Sequence, residues 1–431
     1  MSAEPDPLLA ARMILDGRFD DAVLRPYSQT PFWRQLTAAV RRFAPTPEAC
    51  ETTLRICVSK ALSRSQGAAN ALVGPVCDTL IQDDNTTAIL DILRAVLETY
   101  PNSVRARIQM SKALFRTGSL DAARKELACM LPVNDRETAI TVLRQALSYR
   151  AWDTVDTLLA LSIVQQESTG ELAGLLANAN ALRTLSRRSR VSDAELGTQA
   201  ICINLDRDSH RIRGARASYA ELGCAIDRHS GVFGASVPEV LYKRIFRWNC
   251  ATNAVGCCLS HVGVWEKIAK GAADHVLVLE DDGLPMYDFD LAEVSSIIPA
   301  DYDYCFVNDR ANPDWYRHTP LQQRFLPLAE SLKGLPPETR APGADGYILS
   351  RRGAAKLLEI VDTHGLLFSL DWFLMALAAP DEAAGSETHV SRIFAKIRKP
   401  LPADLRTTAY VASIPLVSHQ PQGFTARAHF V

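Results

Sequence analysis

The feature that most constrains this chain is a change of periodicity near residue 185. Before it, apolar residues recur at helical spacing, Ala, Leu and Arg are abundant, and almost nothing reads as a strand. From Ala200 onward, short apolar runs alternate with helical stretches, the pattern of an α/β layered domain with a largely parallel central sheet. The sequence therefore predicts an all-α region over 1–185, a polar Arg- and Ser-rich linker over 186–199, and an α/β domain over 200–431. A chain of 431 residues has room for both, and 47% hydrophobic with 22% charged residues is enough apolar material for two cores.

Within the helical region, Pro101 to Pro132 reads as two helices around a turn at Gly118, with Ala113, Ala122 and Ala123 small where helices would cross. This stretch resembles a tetratricopeptide repeat of about 34 residues. Weaker echoes occur at Ala11 to Leu24 and Ala146 to Leu159. Such a region serves either as a concave surface for a partner protein or as a platform packed on its neighbour, and both readings stay open.

The charges nearly cancel, 47 Lys+Arg against 49 Asp+Glu, so no global field draws the protein to nucleic acid or an anionic membrane. The amino terminus lacks a basic segment followed by an apolar core, and no run approaches the roughly 20 apolar residues of a membrane span, so the expected location is cytoplasmic. Ten cysteines occur without a CxxC pair; Cys57, Cys202, Cys257, Cys258 and Cys305 sit in apolar runs and are expected to be buried thiols. Cys257 and Cys258 lack the further Cys or His spacing of a zinc site.

Val276 to Asp282 (VLVLEDD) carries the strongest functional signal. Its apolar run predicts a strand buried on both faces, delivering Glu280, Asp281 and Asp282 at the carboxyl end, where open α/β sheets hold their ligands. Three successive like charges repel, and a divalent cation with oxygen ligands relieves that repulsion.

Four segments in order, Ile203–Gly223 (INLDRDSHRIRGARASYAELG), Gly256–Lys270 (GCCLSHVGVWEKIAK), Val276–Gly283 (VLVLEDDG) and Gly343–Glu359 (GADGYILSRRGAAKLLE), resemble the motifs of glycosyltransferase family 25, which includes lipooligosaccharide and collagen galactosyltransferases. The resemblance covers Ala200 to the carboxyl terminus and leaves the helical region outside. It implies a GT-A-like, Rossmann-type layered catalytic domain. The implied reaction is an inverting, Mn²⁺- or Mg²⁺-dependent transfer of a sugar from a nucleotide diphosphate to an acceptor hydroxyl. UDP-galactose is the favoured donor, the acceptor is a glycan, lipid-linked or protein hydroxyl, and lipopolysaccharide biosynthesis is a fitting role.

Under that resemblance Glu280 and Asp282 are the expected metal ligands, since alternation along an extended segment points them one way and Asp281 the other, toward ribose or a supporting partner. His419, after the strand-like AYVASIPLVSH, is a third candidate ligand or a solvent-facing histidine. Asn204, Asp206 and Arg207 at the first strand-to-helix turn, with Arg211 one turn on, are expected to meet the nucleotide, or else to cap the helix and face solvent. Ser260 and His261 fall in the implied SH motif, where they bond donor phosphate or sugar or else His261 is a satisfied packing histidine, and Trp265 reads as core. An inverting transfer needs a base to take the acceptor proton; Asp371 is the first candidate and Asp345 the second, with Asp371 equally suited to a helix N-cap. The alternative function is a helical-repeat scaffold whose transferase domain binds a nucleotide sugar without turnover. A phosphoryl transferase would need a Gly-rich phosphate loop, which the sequence lacks.

Overall fold

The computed structural model describes residues 6–16, 30–161, 170–188, 199–246, 251–311, 324–331, 343–380, 389–402 and 405–420. The chain divides into two compact units, one reaching Leu175 and the other spanning Leu176–Gln420.

The first unit is helical: α1 (Pro7–Leu15), α2 (Thr30–Phe43), α3 (Pro47–Leu62), α4 (Gln66–Leu80), α5 (Thr86–Thr99), α6 (Val104–Arg116), α7 (Leu120–Ala128), α8 (Arg136–Ser148) and α9 (Trp152–Ala160). Side-chain oxygens start several of them. Thr46, Ser65, Ser103 and Asp135 each accept the amide three residues on, satisfying a donor that the first helical turn leaves unpaired. The apolar stripes meet in one core that includes Trp33, Leu36, Leu54, Leu72 and Leu93.

The pair α6 and α7 turns at Gly118, whose φ of 82° is a left-handed conformation that favours glycine. The pair α8 and α9 turns at Arg150, with φ 49°, which explains why the second echo lacks a glycine signal. Ala113 and Ala123 are fully buried where the helices cross, as expected, and Ser111 donates to the Ala123 carbonyl at 2.9 Å. Ala122, expected at the same crossing, is exposed instead, because it lies on the outer face of α7. Most of the echo at Ala11 to Leu24 lies outside the described residues. The predicted linker begins inside a helix: α10 (Gly170–Arg188) runs through residue 186, and buried Ser186 accepts from the Asp288 amide. Residues 189–198 lie outside the described residues.

The second unit is an α/β layered domain. Its strands are β1 (Gln199–Asn204), β2 (Ile226–Ser230), β3 (His275–Glu280), β4 (Gly283–Pro285), β5 (Tyr304–Phe306), β6 (Phe325–Pro327), β7 (Gly346–Ser350), β8 (Ala409–Ala412) and β9 (Val417–His419). Its further helices are α11 (Ser209–Ala220), α12 (Glu239–Ile245), α13 (Thr252–Lys270), α14 (Leu291–Ser296), α15 (Leu328–Ser331), α16 (Arg351–His364), α17 (Leu370–Ala378) and α18 (His389–Arg398).

Seven strands form one sheet in the order β2-β1-β3-β7-β5-β8-β6, and β4 pairs with β9 separately. β2, β1 and β3 run parallel, as do β5 and β8, whereas β7 is antiparallel to both β3 and β5, and β6 is antiparallel to β8. The sheet is thus mixed, a correction to the largely parallel expectation: β7 is followed directly by α16 and enters between strands already laid down. The region read as one strand before His419 is two, β8 in the main sheet and β9 on β4.

The apolar runs are central strands. The four residues Val276–Leu279 are all buried, as is every residue of β7, and Trp265 is fully buried in the core with Tyr304, Phe306 and Phe373. Of the cysteines expected to be buried, Cys57, Cys202, Cys258 and Cys305 are, while Cys257 is half-buried.

Candidate active site

Chain order places the site. β1 leads to β2 on one side, and the chain then returns to lay β3 on the other side of β1, so the order 2-1-3 reverses direction between β1 and β3. Crossover segments part on either side of such a point, leaving a crevice beyond the carboxyl ends of the strands. Asn204 ends β1 there, and Glu280, Asp281 and Asp282 leave β3.

The three carboxylates diverge. Asp281 is buried; its Oδ2 accepts from Asn204 Nδ2 at 2.7 Å, and its Oδ1 lies 2.5 Å from Arg211 Nη2. Burial pushes the Asp281 carboxyl up to about 7 against the opposing pull of Arg211. Asp282 Oδ2 lies 3.3 Å from the same Arg211 nitrogen and 3.7 Å from His419 Nδ1. Burial also pushes Asp282 up, but His419 and Arg211 outweigh it and hold the carboxyl below its ordinary range.

Glu280 turns the other way, toward α13. Its Oε1 is 3.3 Å from His261 Nε2 and 3.7 Å from Cys257 Sγ. The expected grouping of Glu280 with Asp282 and His419 is therefore corrected, because Glu280 projects onto the helix packed on the sheet.

Asp345, read as a reserve base, takes the place beside Asp282. It is buried just before β7, with Oδ1 3.2 Å from Arg310 Nη1 and Oδ2 4.0 Å from His419 Nδ1. Burial pushes Asp345 up to about 7, again opposed by its arginine. His419 itself is raised by the adjacent Asp282 carboxylate.

Two oxygens stand out. Asp282 Oδ1 and Asp345 Oδ2 are buried and have no hydrogen-bond partner among the described residues, which for a carboxylate is costly unless a cation shares the space. The His419 separations of 3.7 and 4.0 Å exceed hydrogen-bond length. They suit donor atoms bound to one ion at about 2.1 Å, which lie roughly 3 to 4 Å apart. Asp282 and Asp345 each lie near His419, but the three do not bring one donor atom apiece within 4.8 Å of one another, as Cys257, His261 and Glu280 do.

The remaining residues play supporting parts. Asn204 is buried, and its Oδ1 accepts from Arg228 Nε at 2.9 Å. Asp206 is exposed at the rim, held by Arg228 and by Ser230, whose hydroxyl donates at 2.8 Å, and these bonds lower its carboxyl. Arg207 is exposed, its guanidinium 4.0 Å over the Phe233 ring. Ser260 Oγ donates to the Gly256 carbonyl and accepts from the Val232 amide, so it ties the loop after β2 to α13 rather than facing a donor. His261 is fully buried, its Nδ1 2.9 Å from the Tyr347 hydroxyl that also accepts from Trp265 Nε1. Asp371 accepts from the Trp372 amide at 3.0 Å in the first turn of α17, where Ser369 holds the N-cap position, and burial raises its carboxyl.

Glycines near Asp345 let segments of the chain pack closely. A Cβ at Gly283 would lie 2.2 Å from the Asp345 carbonyl oxygen, and one at Gly346 would meet Val417 at 2.9 Å. Gly283→Ala is expected to cost about 1–3 kcal/mol, as overpacking does, and to shift Asp345. A thermal melt equal to the wild type would disprove this close approach.

Two functional residues escaped the sequence reading. Arg310 follows β5 in Asn308-Asp309-Arg310, a polar turn after a buried strand like the one after β3, and that parallel was the available signal. Arg228 lies on β2 (IDRHS), too polar to read as a strand. Away from this crevice, a cavity of about 530 Å³ opens in the helical unit among Arg34, Arg41, Thr46 and Asp78, lined by none of the residues above.

No family model matches this sequence, and no curated protein matches it. Among the described residues, no helix is long and apolar enough to cross a membrane.

Proposed function

We propose that the α/β unit is a cation-dependent hexosyltransferase of GT-A type, moving a sugar from a nucleotide diphosphate to an acceptor hydroxyl with inversion. The observation that carries this reading is the pair of buried carboxylates Asp282 and Asp345 near His419 at the switch point, each with one oxygen that has no hydrogen-bond partner among the described residues. The motif resemblance, with galactose as the favoured sugar, supports it.

Asp282, Asp345 and His419 would hold Mn²⁺ or Mg²⁺. Held there, such an ion would supply charge neutralisation for a departing diphosphate. Arg211 and Arg310 hold Asp281 and Asp345 in place and oppose the upward push of burial on both carboxyls. Asp206, fixed outward by Arg228 and Ser230, offers an acceptor to a nucleotide hydroxyl. Asp371 takes the acceptor proton, its carboxyl raised above the ordinary value by burial.

The test is incubation of the full chain with a panel of nucleotide sugars and Mn²⁺, following diphosphate release with and without chelator. Release from one donor, abolished by chelator, is the expected result; release from none overturns the enzyme reading.

A second reading, a nucleotide-sugar-binding domain without turnover, draws support from Arg211, which already bridges Asp281 and Asp282. It predicts donor binding that persists in chelator.

A further inference from the structure

Cys257, His261 and Glu280 meet on the α13 side of the sheet, apart from the carboxylates that face His419. Cys257 and His261 are four residues apart on α13, so they project from one face of the helix. Glu280 reaches the same point from the end of β3. The donor atoms of all three lie within 4.8 Å of one another.

From this geometry we infer that Cys257, His261 and Glu280 form a zinc-type metal site, separate in position and chemistry from the oxygen-rich site at Asp282. Edge lengths carry the assignment. A tetrahedral Zn²⁺ with bonds near 2.3 Å to sulfur and 2.05 Å to nitrogen and oxygen sets an N-to-O edge of about 3.4 Å and an S-to-O edge of about 3.6 Å. The observed separations are 3.3 Å from His261 Nε2 to Glu280 Oε1 and 3.7 Å from Cys257 Sγ to Glu280 Oε1. Both contacts are within hydrogen-bond reach, and both match the ligand edges.

The surroundings agree. A ligating histidine bonds through its other nitrogen to an oxygen that fixes the ring, and His261 Nδ1 has Tyr347 Oη at 2.9 Å. Tyr347 is itself anchored by the Trp265 N–H, and its oxygen has a second lone pair for His261. Asp371 acts electrostatically on both Cys257 and Glu280, adding negative charge near a dication. Glu280 is one-third exposed and Cys257 half-buried, so solvent reaches two of the three ligand residues. On binding, the thiol releases its proton to solvent and sulfur ligates as thiolate.

The thiolate separates this set from the magnesium or manganese chemistry of the other site, since sulfur selects the softer ion. Glu280 links the two sites in sequence, standing two residues before Asp282.

The experiment is Co²⁺ titration of the full-length, reduced protein, reading thiolate-to-cobalt charge-transfer absorption, followed by competition with Zn²⁺. One ion per chain with that absorption is expected, displaced by Zn²⁺ and not by Mg²⁺. Cys257→Ser should abolish the band. Tyr347→Phe, which keeps the ring but removes the oxygen behind His261, should weaken Co²⁺ binding about 10- to 100-fold. Asp282→Asn should leave the band intact. Absence of the band in the folded wild type, or its persistence in Cys257→Ser, overturns the site. Because the readout is a ligand-field spectrum rather than turnover, its failure is distinct from failure of the transferase reading.

Discussion

Asp282→Asn is expected to lower cation-dependent diphosphate release by about 10³-fold or more, because loss of an anionic ligand forfeits several kcal/mol of charge stabilisation at the departing diphosphate. The fold should survive. Asparagine matches the shape of aspartate, and the oxygen or nitrogen that replaces Oδ1 enters a position that has no hydrogen-bond partner to lose. Arg211 retains Asp281, its closer carboxylate, at 2.5 Å. Donor affinity should fall in Mn²⁺ and stay unchanged in chelator, measured by calorimetry alongside a thermal melt. Asp345→Asn should behave alike, and Glu280→Gln should not lose the Mn²⁺ dependence, since Glu280 faces His261 and Cys257. Equal Mn²⁺ dependence in Asp282→Asn and wild type would remove the cation from this crevice.

The contrast between Asp282 and Glu280 marks where the sequence stops being informative. The run VLVL leading into carboxylates identified the strand, its burial and its acidic end, because an apolar run of that length has few other ways to fold. Alternation then paired Glu280 with Asp282, but alternation holds only while the chain stays extended, and β3 ends at Glu280. Which neighbour each carboxylate meets depends on residues distant in sequence, such as His261 on α13 for Glu280 and His419 on β9 for Asp282. The antiparallel course of β7 was equally hidden, since a short buried strand carries no mark of its direction. Cys257 was set aside for want of a second Cys or His at zinc-site spacing. His261 was in plain view four residues on, and the third ligand, Glu280, is brought to it only by the packing of α13 on β3.

Arg211→Met tests whether guanidinium or metal ion is the principal counter-charge. In chelator the variant should lose about 3–5 kcal/mol, the usual consequence of removing one partner from a buried ion pair, because Asp281 is buried and Asp282 stands beside it. For a unit of roughly 250 residues that corresponds to a fall in melting temperature of about 6–20 °C. The deficit has a definite pH sign. Burial already lifts Asp281 in the folded chain to about 7 from an ordinary value of 3.8, so between those values the folded state holds a proton that the unfolded state has released. Stability therefore falls as pH rises through that window. Removing Arg211 lifts the folded value further and extends the window upward, so the loss relative to wild type, already present at pH 5 through ionised Asp282, should be larger at pH 8. Saturating Mn²⁺ should restore part of it at pH 8 if Asp282 binds the ion, since a ligand held only by the folded state raises stability in proportion to the logarithm of its concentration. A deficit independent of pH, or greater at pH 5, would show that Arg211 acts through packing and that the carboxylates are neutralised by something else.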